Sequence, residues 1–247
     1  MRMKMRFALA FSAAALAATL TAAGAQEMTL KIGTEGAYPP FNNLTADGKL
    51  QGFDIDIANA LCEEMKAKCE FVTQDWDGII PALQAGKFDA IIASMSITDE
   101  RKQKVDFTKK YYNTPSAVAG PKDSDIKEIS KEGLAGKTLG AATSTTHYNY
   151  ATQYYTDTEV KGYPTSQEFL LDLANGRLDA VEDDISVLEE WLKTPDGACC
   201  KILGQPSPQP TEIFGEGAGI AVRKGETELA DKFNAAIAAI RANGKYK

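Results

Sequence analysis

Ile91-Ile92-Ala93-Ser94-Met95-Ser96-Ile97-Thr98-Asp99-Glu100-Arg101 is the stretch from which the rest of the chain can be read. Phe88 to Ala93 is an apolar run of strand length that stops at small hydroxyl residues and a charged turn. In open α/β sheets ligands lie outside the carboxyl ends of the strands, where loops and helix starts expose N–H groups. Ser94 and Ser96 can donate and accept with little bulk, and Arg101 offers a planar fork matched to a carboxylate. The head group of an amino acid fits such a set. A Ser-rich turn followed by a solvated arginine is the plainer alternative.

The unit leading into this stretch occurs twice. Leu83-Gln84-Ala85-Gly86-Lys87-Phe88-Asp89-Ala90-Ile91 and Leu173-Ala174-Asn175-Gly176-Arg177-Leu178-Asp179-Ala180-Val181 share a helix end, a glycine stop, a basic residue, Asp-Ala and an apolar strand. The first copy runs into Ser94 and Ser96, the second into Glu182-Asp183-Asp184. Two similar α/β lobes, one ending in hydroxyls plus Arg and the other in carboxylates, could close on a zwitterion from both sides. Acids capping the next helix are the alternative at the second end, with Asp184 the better cap.

Upstream, Leu30–Gly33 reads as a strand, and Thr34 to Phe41 is too rich in Gly and Pro to continue it, which leaves Glu35 and Tyr38 in a loop at a strand end. Asp54 can cap a helix bearing Ile55, Ala58, Leu61, Cys62 and Met65 at steps of three and four. Cys69–Thr73 is the next strand; Trp76 follows in a loop, and Asp77 caps a short helix that stops at Gly86. Strand alternating with helix implies parallel pairing through crossovers.

Downstream, a lobe boundary falls near Pro115, ahead of an extended Ser116–Ala119. Lys137–Ala142 is a strand ending in Thr143-Ser144-Thr145-Thr146, before a helix through Tyr155; this is either an anion site at a helix start or an ordinary cap. His147, the only histidine, is expected on the surface. Thr165 and Glu168 have capping-box spacing, Gly204–Pro210 is irregular, Gly217–Arg223 is a strand, and Thr227–Ala242 is a last helix ending at Asn243-Gly244.

Basic residues at 2, 4 and 6, an Ala/Leu-rich run and Ala23-Gly24-Ala25 have the form of a secretory leader cleaved near Ala25. The whole chain has 27 basic against 34 acidic residues, and loss of Arg2, Lys4 and Arg6 widens the acidic excess from 7 to 10. Nucleic acid is therefore excluded as a partner, since phosphate backbones need clustered Lys and Arg. In an exported chain four cysteines point to disulfides rather than zinc, because neither pair has metal-site spacing. A Cys62–Cys69 bridge is expected to staple a helix end to a strand start. Cys199 and Cys200 are adjacent, and either a vicinal bridge or two thiols fits.

On Gly52-Phe53-Asp54-Ile55-Asp56, Trp76-Asp77, the Ser-x-Ser-Ile-Thr-x-x-Arg turn, Gly176-Arg177-Leu178-Asp179-Ala180 and Phe214-Gly215-Glu216-Gly217, the chain resembles the periplasmic solute-binding proteins of ABC importers for polar amino acids, the lysine/arginine/ornithine- and histidine-binding group. The resemblance runs from Leu30 to Lys247. It implies a type II periplasmic binding protein fold of two α/β lobes, 26–114 with 215–247 and 115–214, joined by hinge strands near Thr114 and Phe214, with the ligand between them. It also implies that Arg101 and the backbone of Ser96 and Thr146 hold an α-carboxylate, while Ser94, Ser96 and Asp183 hold an α-ammonium. Tyr38 and Trp76 would flank the side chain, with Glu35 at its distal cation. Met95 and Thr143 complete the expected ligand-binding set. No catalytic residue, cofactor or metal is expected. The function implied is capture of a cationic amino acid, arginine before lysine or ornithine and then histidine, by a periplasmic monomer that delivers it to a membrane permease. Two departures stand out: Glu35 where the family more often has Asp, and Trp76 where several members have Phe. The tryptophan, which opine binders share, keeps an octopine- or nopaline-like ligand open, and a Glu35 that faces solvent instead would leave selectivity to shape and admit glutamine, cystine or an opine. A dehydratase on the same scaffold is the enzymatic alternative.

Overall fold

Short apolar strands joined by amphipathic helices must pair in parallel, because the crossover helix returns the chain to the same end of the sheet. In the computed structural model, which describes residues 28–247, Met28–Thr34 pairs in parallel with both Ala67–Thr73 and Ala90–Ile91. The leader expected at residues 1–25 lies outside the described residues. Ala221–Arg223 returns late in the chain and inserts antiparallel between Ala90–Ile91 and Val105–Phe107, which completes a five-stranded sheet.

The intervening chain builds a second sheet of the same plan: Glu159–Tyr163, Thr138–Ala142, Ala180–Asp184, Ser116–Pro121 and Cys200–Gly204, the first three parallel and the rest antiparallel. A small antiparallel sheet, Ala37–Tyr38, Asn42–Leu44 and Leu50–Gln51, sits on the first lobe. The architecture is the two-lobed α/β fold expected.

Each sheet is buried on both faces, as parallel sheets must be. Helices Phe53–Glu64 and Thr227–Ala242 pack Ile57, Leu61, Phe233, Ile237 and Ile240 against one face of the first sheet; Ile79 and Leu83 of Trp76–Gln84 cover the other. In the second lobe Phe169, Leu170 and Leu173 of Ser166–Ala174 cover one face, and Tyr150 and Ala151 of Thr146–Tyr154 the other. The two copies of the repeated unit occupy equivalent places, each ending in the third parallel strand of its sheet. Among the described residues no helix is long and apolar enough to cross a membrane.

Several local expectations need correction. The helix expected to be capped by Asp54 starts at Phe53, with Gly52 at the cap position at φ 120°, and a Cβ there would lie 2.4 Å from the Phe41 carbonyl oxygen. Asp54 instead turns inward, because Asn42, Ser94 and Tyr111 all donate to its carboxylate. Trp76 opens its helix rather than lying in a loop, so Asp77 is in the first turn. Thr165 stands at a helix start without making the capping bond. Strand pairing covers only Ala90–Ile91 of the Phe88–Ala93 run and only Ala221–Arg223 of the Gly217–Arg223 run. Cys62 and Cys69 are bridged, their Cα atoms 5.9 Å apart, and Cys199 is bridged to Cys200.

Candidate functional site

The carboxyl ends of the parallel strands of both sheets face each other across a cleft, and the expected site residues lie there. From the first lobe, Glu35 and Tyr38 follow Met28–Thr34, Trp76 follows Ala67–Thr73, and Ser94 and Ser96 follow Ala90–Ile91. Arg101 sits in the short helix Asp99–Lys104, whose start is capped by Thr98 accepting from the Arg101 N–H at 3.2 Å. From the second lobe come Thr143 and Thr146 after Thr138–Ala142, and Asp183 at the end of Ala180–Asp184. Thr145 is the helix cap, accepting from Tyr148 N–H.

Direct bonds tie the lobes together. The Tyr38 hydroxyl donates to Asp183 Oδ1 at 2.7 Å and Asp184 Oδ2 at 2.8 Å. Trp76 Nε1 and Arg101 Nη2 both donate to the Ser144 carbonyl, at 3.2 and 3.0 Å. Thr143 Oγ1 donates to Asp77 at 3.1 Å. Between these contacts lies a cavity of about 40 Å³ walled by Glu35, Tyr38, Trp76, Ser94, Ser96, Arg101 and Thr146 of the expected set. Ala93, Ala142, Thr145, His147, Ser166 and Asp184 complete the wall. Thr143 and Met95 border a larger cleft of about 690 Å³ that shares Trp76, Arg101 and Thr146 with the cavity. Asp183 is 3 % exposed and lies behind the wall, where Ser166 Oγ donates to its Oδ2 at 2.6 Å.

Arg101 is 9 % exposed and its guanidinium meets only backbone: Nη1 donates to the Ser96 carbonyl at 3.0 Å, and Nη2 to Ser144. No carboxylate among the described residues lies within ion-pair distance of it. The guanidinium stands 5.1 Å over the Trp76 ring, which attracts it through the ring quadrupole. Burial lowers its pKa to about 10, so at neutral pH it remains a desolvated cation whose remaining donors favour an anion.

Glu35 has the opposite problem. Burial first, and then the charges of Asp183, Asp75 and Asp77, push it up to about 7. A cation beside it would reverse that shift. Ser94 is at φ 54°, a conformation held by two bonds: Oγ donates to Asp54 Oδ2 at 2.8 Å, and its N–H donates to the Tyr111 hydroxyl at 3.1 Å.

His147 is buried rather than on the surface, with Nε2 3.3 Å from Asp184 Oδ1 and Nδ1 3.7 Å from Asp183 Oδ1. Asp184, the better expected cap, makes no capping bond and turns to the cavity. Glu182, two residues back on the same face of the strand as Asp184, accepts from Ser116 Oγ at 2.9 Å, and burial raises it to about 8. His147, Asp183 and Asp184 bring one potential donor atom each within 4.8 Å. The carboxylates accept from Tyr38 and Ser166, and with a protonated ring the trio forms an ion-pair cluster. The adjacency of His147 to the Thr143–Thr146 hydroxyl run was the one sequence signal that could have found it.

A family model described as bacterial extracellular solute-binding proteins, family 3, matches residues 30–247. The L-arginine-binding protein of Pseudomonas aeruginosa is 50 % identical over 226 residues, 90 % of this chain and 86 % of that protein. Among solved structures, an ancestral arginine-binding protein bound to arginine aligns with a TM-score of 0.81 at 40 % identity, covering 88 % of this chain and 94 % of its own. An ancestral amino acid-binding protein, a precursor of cyclohexadienyl dehydratase, aligns with a TM-score of 0.77 at 33 % identity, covering 88 % of this chain and 92 % of its own.

Proposed function

We propose that this chain, which belongs to the bacterial extracellular solute-binding proteins of family 3, captures L-arginine in the cleft between its lobes and delivers it to the permease of an ABC importer. The observation that carries the reading is Arg101, a buried cation without a carboxylate partner among the described residues, sharing one cavity with Glu35, a half-buried acid without a cation partner among the described residues. A ligand with a carboxylate at one end and a cation at the other satisfies both. The apolar stem between its ends would lie along Tyr38 and Trp76.

In this reading Arg101 holds the α-carboxylate, with Ser96, Thr143 and Thr146 around it. Ser94 and Asp183 serve the α-ammonium, Met95 backs the turn, and Glu35 reads the guanidinium. Arginine is preferred over lysine and ornithine because its planar fork suits both a ring face and a bidentate acid; histidine ranks below them. Residues 26–114 with 215–247 act as one lobe and 115–214 as the other. Closure about the segments near Thr114 and Phe214 is the working motion. The protein works in the periplasm as a monomer after its leader is removed near Ala25.

A thermal-shift screen of the standard amino acids and a few opines tests the ligand. Arginine should stabilise most. Strong stabilisation by glutamate or glutamine, with none by arginine or lysine, overturns the reading.

The relatives named above are binding proteins. A second reading, dehydration on the same scaffold, is favoured by one feature: an acid pushed up to about 7 in the cavity between the lobes has the pKa of a general acid. Incubation with arogenate decides it, since formation of phenylalanine would make the chain an enzyme and its absence leaves binding alone.

A further inference from the structure

The geometry points to His147 as a positioning residue of the ammonium subsite: its imidazolium, lodged between Asp183 and Asp184, lets Asp183 stay charged just behind the cavity wall, beside the second carboxylate that lines it. The inference rests on the reading of the cleft as an amino-acid site, and it goes beyond that reading by assigning a residue that makes no ligand contact in its scheme.

Asp183 and Asp184 are consecutive, and the Tyr38 hydroxyl bridges an oxygen of each. Two carboxylates held this close repel one another, and burial adds to that cost. Burial first, and then the charge of Asp184, raise Asp183, while His147 opposes both. His147 is 6 % exposed and lies 3.3 Å from one acid and 3.7 Å from the other. The trio thus carries a net charge of one negative unit, which matches a single ammonium. Without the imidazolium, uptake of a proton by the pair would relieve the repulsion and spoil the acceptor.

Other groups around the ring do not supply the missing charge. On the same strand Glu182 lies on the side of the His147 helix, but it is an acid, accepts from Ser116 Oγ, and is pushed up to about 8, mainly by burial, so it is held neutral at neutral pH. The Thr211–Phe214 helix presents the Phe214 ring at 6.1 Å, and its one titratable side chain, Glu212, is exposed. Thr138–Ala142 has no titratable side chain, and in Glu159–Tyr163 the pair Glu159 and Lys161 meet each other while Tyr163 donates to Asp172. Tyr150 on the helix of His147 donates to the Pro208 carbonyl. Across the cavity stand Glu35, Tyr38 and Arg101. Burial alone would lower the His147 pKa, but contact with Asp184 and the charges of Asp184, Asp183 and Glu182 outweigh it and raise it to about 9.

Because His147 is the only histidine in the chain, its ring protons can be followed by NMR without assignment and without ligand. In the wild-type protein they should titrate well above the ordinary value, and in Asp184→Asn the midpoint should fall by about one unit or more. A wild-type midpoint at or below the ordinary histidine value overturns the proposal, whatever the protein binds. The second arm titrates L-arginine into wild type and His147→Gln between about pH 8.5 and about pH 6. The ratio of variant to wild-type Kd should grow about tenfold toward the acid end, one pKa unit's worth of lost acceptor. A purely structural defect gives a constant ratio, and that result also overturns the proposal. Failure of the wild type to bind arginine would instead count against the proposed function, and the NMR arm would still stand.

Discussion

The two copies of the repeated unit begin alike and end differently. In each, a glycine in the left-handed region ends the helix, Gly86 at φ 75° and Gly176 at φ 72°. Phe88 then packs over Gly33 on the neighbouring strand, and Leu178 over Gly140; a Cβ on either glycine would come within 2.5 or 2.6 Å of the overlying side chain. Asp89 and Asp179 each make the same pair of bonds, N–H donating to the neighbouring strand (Lys31, Thr138) and carboxylate accepting from the same residue's N–H. Two residues into the strand the copies are still interchangeable. Beyond that point the first delivers Ser94, Ser96 and Arg101 to the cleft, and the second delivers Asp183 and Asp184. The shared half satisfies backbone and packing, which any lobe of this plan requires; in the proposed function the divergent half would meet the two ends of a zwitterion, which requires opposite charges.

That division can be broken by mutation. The largest effect belongs to the cationic end. Arg101→Ala leaves a ligand carboxylate buried without a partner and should cost roughly 3–5 kcal/mol, a few hundredfold or more in arginine affinity by calorimetry, and Lys should restore it only in part. A loss within about threefold would remove Arg101 from the site.

The acidic end should show itself in stability against pH. Burial holds Glu182 up to about 8 and Glu35 up to about 7 from 4.5, and the acids around His147 hold it up to about 9 from 6.5. In each case the folded chain keeps a proton that the unfolded chain has released, so stability is fully present below the unfolded value and is lost as pH rises through the folded one. Tm of the ligand-free protein should therefore fall between about pH 5 and about pH 9, by roughly 5 °C or more. Glu182→Gln should flatten the part of the slope below about pH 8, and a Tm that rises over this range contradicts the burial argument.

Glu35→Gln should weaken arginine by about 1.5–3 kcal/mol, the worth of a charged hydrogen bond, and glutamine far less. Equal losses for both ligands would mean that Glu35 does not read the side chain.

The smallest effects belong to the shared half. Asp89→Ala and Asp179→Ala should each cost about 1 kcal/mol, or roughly 2–4 °C in Tm, with arginine affinity unchanged. A change in affinity from either would erase the line between scaffold and site.

Much of this was legible in the residues. Strand ends that stop at hydroxyls, the duplicated unit and the last helix at Thr227–Ala242 depend on local pattern, and the structure reproduces them. What local pattern missed are polar groups whose partners are distant in sequence. Asp54 has the spacing of a helix cap, but it is bonded to residues 12, 40 and 57 positions away. His147 reads as a surface residue until the strand bearing Asp183 and Asp184 is laid beside its helix. Asp184 reads as a cap until Tyr38, 146 residues distant, donates to it. Caps and turns are encoded within a few residues, whereas a buried charge pair exists only after two elements have packed.

The orientation of the bound amino acid is the centre of this account, and a crystal structure of the protein with L-arginine tests it most directly. The α-carboxylate should lie within hydrogen-bonding distance of the Arg101 guanidinium and the ligand's guanidinium beside Glu35, with its stem along Trp76 and Tyr38. A ligand lying the other way round, with its carboxylate at Asp183 and Asp184 or its guanidinium turned away from Glu35, would contradict it.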